Sequence, residues 1–426
     1  MKPPSKISSV ILWSVISAAF IGPGTITTAV TAGSQFQIQL LWAVVFATLA
    51  CIVLQEASAR IMIASGLSLG KALEKKFGHQ KGFWIKLFIG GSVLLGCAAY
   101  EAGNILGAVS GLNLLIEGDG KVYTILVTVC AALLLWNGRQ AWISTLMTIL
   151  VGMMGLAFFV LALHGDFELS DLLIASIVPR IPAGSELITL GLVGTTIVPY
   201  NLFLGSGISK GQTIPLMRIG LTVSVLIGGL ITIWILLAGT VVGEFSSFQI
   251  LAEEFRAKIG SGGVLALGVG LFAAGFSSAI TSPYAASIIT SNVFGIEKRS
   301  SVRIVWGIVL MTGFLFGMSG VKPIPVILAV QALNGLILPL ITIYLIIILN
   351  DSGIIPSPHR PSFFYNLILL LILGGVLLIG LNNVDKSIST ALSLANPSHL
   401  NLILILTGLL VTYVGFLLWK GNATSR

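Results

Sequence analysis

The sequence predicts an all-α polytopic membrane protein. A single transmembrane domain over residues 1–426 is expected, with about twelve spans in two inverted five-span repeats whose first and sixth spans are broken. Composition is the first observation: 56% of the 426 residues are hydrophobic and 9% charged, with mean hydropathy +1.03, whereas a soluble protein carries about 25% charged residues. The second is the stretch 18–34, AAFIGPGTITTAVTAGS, inside an apolar run at about 9–34 that is long enough to cross a bilayer. Pro23 removes a backbone donor there, and Gly22 and Gly24 permit unwound chain. The third is a second such interruption. Residues 188–209, ITLGLVGTTIVPYNLFLGSGIS, place Pro199 mid-span, 176 residues after Pro23. Free backbone groups at membrane depth are tolerated only where protein or a watery cavity satisfies them. Broken helices at corresponding places in two halves point to a binding site between them, as in secondary transporters.

The first repeat is expected over about 9–164, with spans at about 9–34, 39–65, 83–115, 121–137 and 141–164. The second is expected over about 187–349, with spans at about 187–209, 215–241, 261–291, 302–319 and 324–349. An odd number of spans per repeat inverts the second copy. Two accessory spans follow, at about 362–381 and 398–419. The segments 68–77 and 246–258 read as short amphipathic helices at an interface. The third span is too long to stand upright in a hydrocarbon core of about 30 Å, so it should tilt or project. Gly103, Gly107 and Gly111 recur along it every four residues, a stripe that lets another helix approach closely. The eighth span, FAAGFSSAITSPYAAS at 272–287, is rich in small and hydroxyl residues. It reads as tight packing, with Ser277 and Ser278 as candidates to help coordinate a cation.

Lysine and arginine set the orientation. With the N-terminus inside, 17 of the 23 fall in cytoplasmic segments, which predicts cytoplasmic termini and explains the net charge of +8 without a nucleic acid. Met1–Lys6 is short and basic, and the first apolar run is too long for a signal core, so no cleavable leader is expected. Cys51, Cys97 and Cys130 lie in apolar spans without CxxC spacing, which indicates neither a disulfide framework nor a zinc site.

Ionisable residues inside a membrane are costly and are functional candidates by default. Glu101 stands in the middle of the third span with Asn104 one turn on, which suggests a proton or cation relay. Glu56 has Arg60 four residues on and reads as a structural ion pair. Gln331, in the tenth span, reads as interhelical glue or a site residue. Around the breaks the side chains are Thr25, Thr27, Thr28, Thr195, Thr196, Tyr200 and Asn201; none is a carboxylate, thiolate or imidazole. His79, His164, His359 and His399 all fall in loops or at span ends.

Several runs resemble the NRAMP (natural resistance-associated macrophage protein) divalent-metal transporters along the first ten spans. They are SIVPRIPAGSELITLGLVGTTIVPYNLFLGS (176–206), LQEASARIMIASGLSLGKAL (54–73), GLNLL (111–115) and GFSSAITSPYAASI (275–288). The resemblance implies a LeuT-like inverted repeat. Its metal ligands do not carry over. Where the family's first break reads Asp-Pro-Gly-Asn, this chain has Gly22-Pro23-Gly24-Thr25, and where the second reads Met-Pro-His it has Val198-Pro199-Tyr200. Gln331 matches a glutamine that faces the family's metal, so Gly22, Thr25 and Gln331 stand at ligand positions. The carbonyls near Ala19, Gly22 and Thr195 are retained. Glu101 matches an Asp of the family's proton path, and Asn104 replaces its next Glu.

The expected substrate-binding set is therefore Ala19, Gly22, Thr25, Thr195, Val198, Tyr200, Asn201 and Gln331, with Glu101, Asn104, Ser277 and Ser278 for proton or ion coupling. Transition metals want imidazole, thioether or carboxylate, and a hard divalent ion usually wants carboxylate charge. A neutral pocket suits a monovalent cation, a largely hydrated Mg²⁺, or a small zwitterionic or neutral solute. The expected activity is secondary active transport by alternating access, spans one and six rocking against a scaffold. The resemblance implies a divalent cargo such as Mg²⁺ or Mn²⁺, with weak transition-metal selectivity. A transporter of a small organic solute such as an amino acid is the alternative, and a non-transporting sensor a further one. No enzyme is expected, since no span presents a nucleophile–base pair, and no cofactor is called for. The expected partners are the lipid bilayer, the solute or cation, and protons or sodium as coupling ions, at a bacterial inner membrane.

Overall fold

A computed structural model of the chain describes residues 9–10, 12–14, 20–77, 81–137, 141–296, 298–391 and 399–423. Among these residues the chain is helical, without strands. Residues 9–10 and 12–14 are helical, and Ile21 and Gly22 are not. Gly22 is extended (φ −116°, ψ −174°), and α1 (Pro23–Phe36) begins on Pro23, whose missing N–H is no loss in a first turn. At its far end Gln37 turns left-handed (φ 54°), with its N–H on the Gly33 carbonyl. A 3-10 turn, Gln37–Leu40, leads into α2 (Leu41–Ser65), which the left-handed Gly66 closes.

Then come α3 (Leu69–Phe77), α4 (Lys81–Leu115), α5 (Gly120–Asn137) and α6 (Ala141–Ala162). A short helix absent from the expectation, α7 (Leu169–Ile177), has no buried residue. The sixth span is in two pieces. α8 (Glu186–Thr196) stops at Ile197, and α9 (Pro199–Ile208) restarts on Pro199 after an extended Val198; a residue before proline is pushed to that conformation. The remainder is α10 (Ile214–Gly239), α11 (Phe248–Ile259), α12 (Ser261–Phe294), α13 (Arg299–Met318), α14 (Pro323–Leu349), α15 (Phe363–Ala391) and α16 (Leu400–Ala423).

Among the described residues nine stretches are long and apolar enough to span a membrane. The first, Pro23–Ser65, is divided by the 3-10 turn into α1 and α2. The shorter apolar helices Gly120–Trp136 and Ile149–Ala162 complete the expected set of about twelve. The segments expected at an interface are helical: α3 buries Leu69, Ala72 and Leu73, and α11 buries Phe248, Leu251 and Phe255. Ser247 caps α11 by accepting the Ile250 N–H at 3.3 Å.

The glycine stripe of α4 works as its spacing implies. Gly111 faces main-chain atoms of Phe272 and Gly268 on α12, Gly107 faces the Pro23 ring, and Gly103 faces Ile327 of α14. On the facing helix Gly275 lies against Ala108 and the Asn104 carbonyl. Small residues on both sides bring backbones into contact, which is how helices associate where lipid supplies no hydrophobic drive. One consequence is that α1, α12 and α14 all converge on α4 at the level of the first break.

Candidate functional site

The two breaks face each other. Thr25, in the first turn of α1, and Thr195, in the last turn of α8, lie with hydroxyl oxygens 2.8 Å apart. The Thr25 hydroxyl also donates back across its own break to the Phe20 carbonyl. A hydroxyl has one proton, so Thr195 is the donor between the two threonines. Both are fully buried.

Gln331 of α14 is wedged beside them. A Cβ at Gly24 would fall on the Gln331 amide and displace that side chain, whereas Gly194 of α8 faces the Gln331 carbonyl and the Gly335 main chain, which cannot give way so easily. Tyr100 of α4 completes the group, with its hydroxyl beside Thr195 and Gln331. Its ring stands edge-to-face on Tyr200 of α9, centroids 5.5 Å apart at 79°. A Cβ at Gly22 would lie 3.4 Å from the Ser278 hydroxyl and 3.8 Å from the Tyr100 hydroxyl, so α12 reaches the same point.

The chemistry of this cluster lies in its unmade hydrogen bonds. The Tyr100, Tyr200 and Ser278 hydroxyls, the Gln331 Oε1, the Glu101 Oε1 and both amide atoms of Asn201 are buried without a protein partner. Buried polar groups are paired in the great majority of cases. Several unpaired ones on α4, α9, α12 and α14, helices that meet at or beside the two breaks, make the cluster a candidate site for a polar ligand. No group of three or more His, Cys, Asp or Glu among the described residues could hold a metal.

Of the expected site residues, the structure thus brings together Gly22, Thr25, Thr195, Tyr200, Gln331 and Ser278. Val198 is buried at the second break, where its carbonyl accepts the Asn201 N–H at 3.0 Å. Ala19 lies outside the described residues. Ser277 is set apart: it is half-buried and its hydroxyl donates to the Ala274 carbonyl at 3.2 Å. Adjacent residues on a helix point about 100° apart, so only one of the two serines could face the break.

Glu101 is fully buried and accepts from the Asn104 amide at 3.3 Å. Gly313 of α13 packs on its Cγ and carbonyl oxygen. Glu56 has the structural role its sequence implied, in a larger cluster. Its Oε1 meets Arg60 at 2.6 Å and Arg218 of α10 at 3.0 Å. Its Oε2 accepts from the Tyr365 hydroxyl, and Arg60 stacks over the Tyr365 ring at 4.6 Å. A carboxylate with two guanidinium partners and a phenol donor is a satisfied buried ion.

Sequence reasoning missed Tyr100. The available signal was its spacing: Tyr100 is four residues before Asn104, on the same face of α4.

A model of the Nramp family, described as natural resistance-associated macrophage protein-like, matches residues 14–385. The chain belongs to the Nramp family. It is 27% identical over 352 residues to a protein named divalent metal cation transporter MntH from Verminephrobacter eiseniae, covering 76% of this chain and 77% of that one. A namesake from Erwinia tasmaniensis is 22% identical, covering 86% and 93%. Among solved structures, the manganese transporter of Eremococcus coleocola superposes with TM-score 0.74 at 16% identity, covering 98% of this chain and 94% of that one. Mhp1, a nucleobase-cation-symport-1 family transporter in a closed conformation, gives TM-score 0.60 at 14% identity, covering 98% and 95%. The Nramp chain therefore has the LeuT-like fold, is integral to a membrane, and is not an enzyme.

Proposed function

We propose that this Nramp chain is a secondary transporter that works by alternating access and carries a small divalent cation, Mg²⁺ in preference to Mn²⁺. The observation that carries the reading is the Thr25–Thr195 contact, where two interrupted helices meet among unpaired neutral oxygens. The names of its relatives, divalent metal cation transporters and a manganese transporter, support a divalent cargo. The donor set supports the choice among divalent ions. Hydroxyls and amides offer neither the soft ligands nor the charge that a dehydrated transition metal requires. Mg²⁺ dehydrates reluctantly and usually keeps several waters, and its bound waters are hydrogen-bond donors that suit the oxygens of Gln331, Asn201 and the two tyrosines. Glu101, with Asn104 beside it, is the candidate coupling carboxyl. The other expected substrate-binding residues keep that role here, and of the two serines expected to serve ion coupling it is Ser278, beside Gly22, rather than Ser277 that lies close to the first break.

Saturable Mg²⁺ uptake into proteoliposomes is the expected result, with Mn²⁺ binding weakly in calorimetry. Tight, saturable Mn²⁺ binding would overturn the choice of cargo. Uptake of an amino acid without cation uptake would replace it with the organic-solute reading.

The lysine and arginine asymmetry supports an inner-membrane orientation with both termini and the turn at Lys210 in the cytoplasm, and Lys258 of α11 on the opposite face. Single cysteines at 210 and 258 should be labelled by impermeant reagents from opposite sides. Labelling of both from outside intact cells would reverse or refute the assignment.

A further inference from the structure

We infer that Tyr100 is a specificity-determining residue of the cargo site, its phenol oxygen and the Ser278 hydroxyl together standing beside the point toward which a carboxylate on the first break would project. The inference rests on the proposed Mg²⁺ reading and names the side chains that set its preference.

The geometry is local and specific. The side-chain direction at Gly22 runs between the Ser278 hydroxyl, 3.4 Å from a built Cβ, and the Tyr100 hydroxyl, at 3.8 Å. Both oxygens are buried and unpartnered, on side chains 0–1% exposed. They come from different helices, α4 and α12, and converge on one point. The Tyr100 ring is held by its edge-to-face contact with Tyr200, which leaves the hydroxyl among polar neighbours without a hydrogen bond of good geometry. Thr195 and Gln331 flank it. A phenol and an alcohol at that point can accept from the waters of a hydrated cation. They cannot supply the negative charge that would favour stripping those waters away. The pair therefore selects for a cargo that keeps its shell and against one that must exchange it for protein ligands.

The test is Tyr100→Phe in the full-length protein in proteoliposomes, with Mg²⁺ as the probe. The ring and its contact with Tyr200 remain, and only the oxygen is lost. The half-saturating Mg²⁺ concentration should rise roughly three- to tenfold, the range for loss of one hydrogen bond, while the maximal rate changes less than about twofold. Ser278→Ala should act in the same direction, and the double variant should cost less than the product of the two, because both oxygens serve the same shell. Calorimetry of Mg²⁺ binding in detergent should give the same ordering. Unchanged half-saturation in Tyr100→Phe, with Mg²⁺ flux intact in the wild type, overturns the assignment alone. A fall in maximal rate at constant half-saturation overturns it too, and makes Tyr100 a conformational residue. Absence of Mg²⁺ flux and binding in the wild type overturns the proposed function and this assignment with it.

Discussion

Gly22→Asp combined with Thr25→Asn should raise Mn²⁺ affinity by roughly a hundredfold, about 2.8 kcal/mol, in calorimetry on detergent-solubilised protein. The wild-type site has no charge at the breaks to offset dehydration of a divalent ion, and the double change restores a carboxylate and an amide oxygen on one turn. The backbone accepts the first change: Gly22 is extended, and a Cβ there meets its neighbours at ordinary van der Waals distance. The Ser278 and Tyr100 hydroxyls, unpaired in the wild type, would donate to the new carboxylate and hold it at the break. The second change removes the Thr25–Thr195 bond, so a stability loss of about 1 kcal/mol should accompany the gain in affinity. If Mn²⁺ affinity does not move, the breaks are not shaped to present ligands at positions 22 and 25.

Glu101→Gln should abolish any pH dependence of Mg²⁺ flux while leaving the protein folded and monodisperse. The substitution is nearly isosteric and removes only the capacity to titrate. Glu101 is fully buried, with one oxygen on Asn104 and the other without a partner, as a group in a relay requires. Asn104 cannot pass a proton onward as a carboxylate would, so partial coupling is the expected wild-type behaviour. A mutant that unfolds in detergent would make Glu101 structural, a role the close packing of Gly313 against it would explain. An unchanged pH profile would rule out Glu101 as the coupling group.

Most of the architecture was legible because it is recorded in two strong signals. Long apolar runs mark spans, and Pro23 and Pro199 mark the breaks. The Glu56–Arg60 pair was legible from its spacing of four. Its partners Arg218 and Tyr365 were not, because contacts 162 and 309 residues apart leave no local pattern. Helix α7 escaped notice because nine residues between two long spans are too few to cross a bilayer, although Leu169, Leu172, Leu173 and Ile177 do recur at helical spacing. The site was half legible. Residues on the broken turns announce themselves through the proline, but Tyr100 and Ser278 sit on continuous helices that are apolar almost all round, where the sequence does not say which face meets the break. Ser277 was indistinguishable from Ser278 for the same reason. Only the packing of α12 on α4 separates them.

The Pro23 ring lies in the notch left by Gly107, at a level where any larger side chain on α4 would collide with it. Under the proposed alternating access, a proline ring seated against a neighbouring backbone would work as a bearing, letting the half-helix pivot while resisting sliding along the membrane normal. The same seam holds Ile327 on one side and the Phe272 main chain on the other, so a methyl group added at Gly107 would shift the pivot and leave the rest of the seam in register. The height of the unwound turn in the bilayer is thus set as much by a side chain missing from α4 as by the proline in α1.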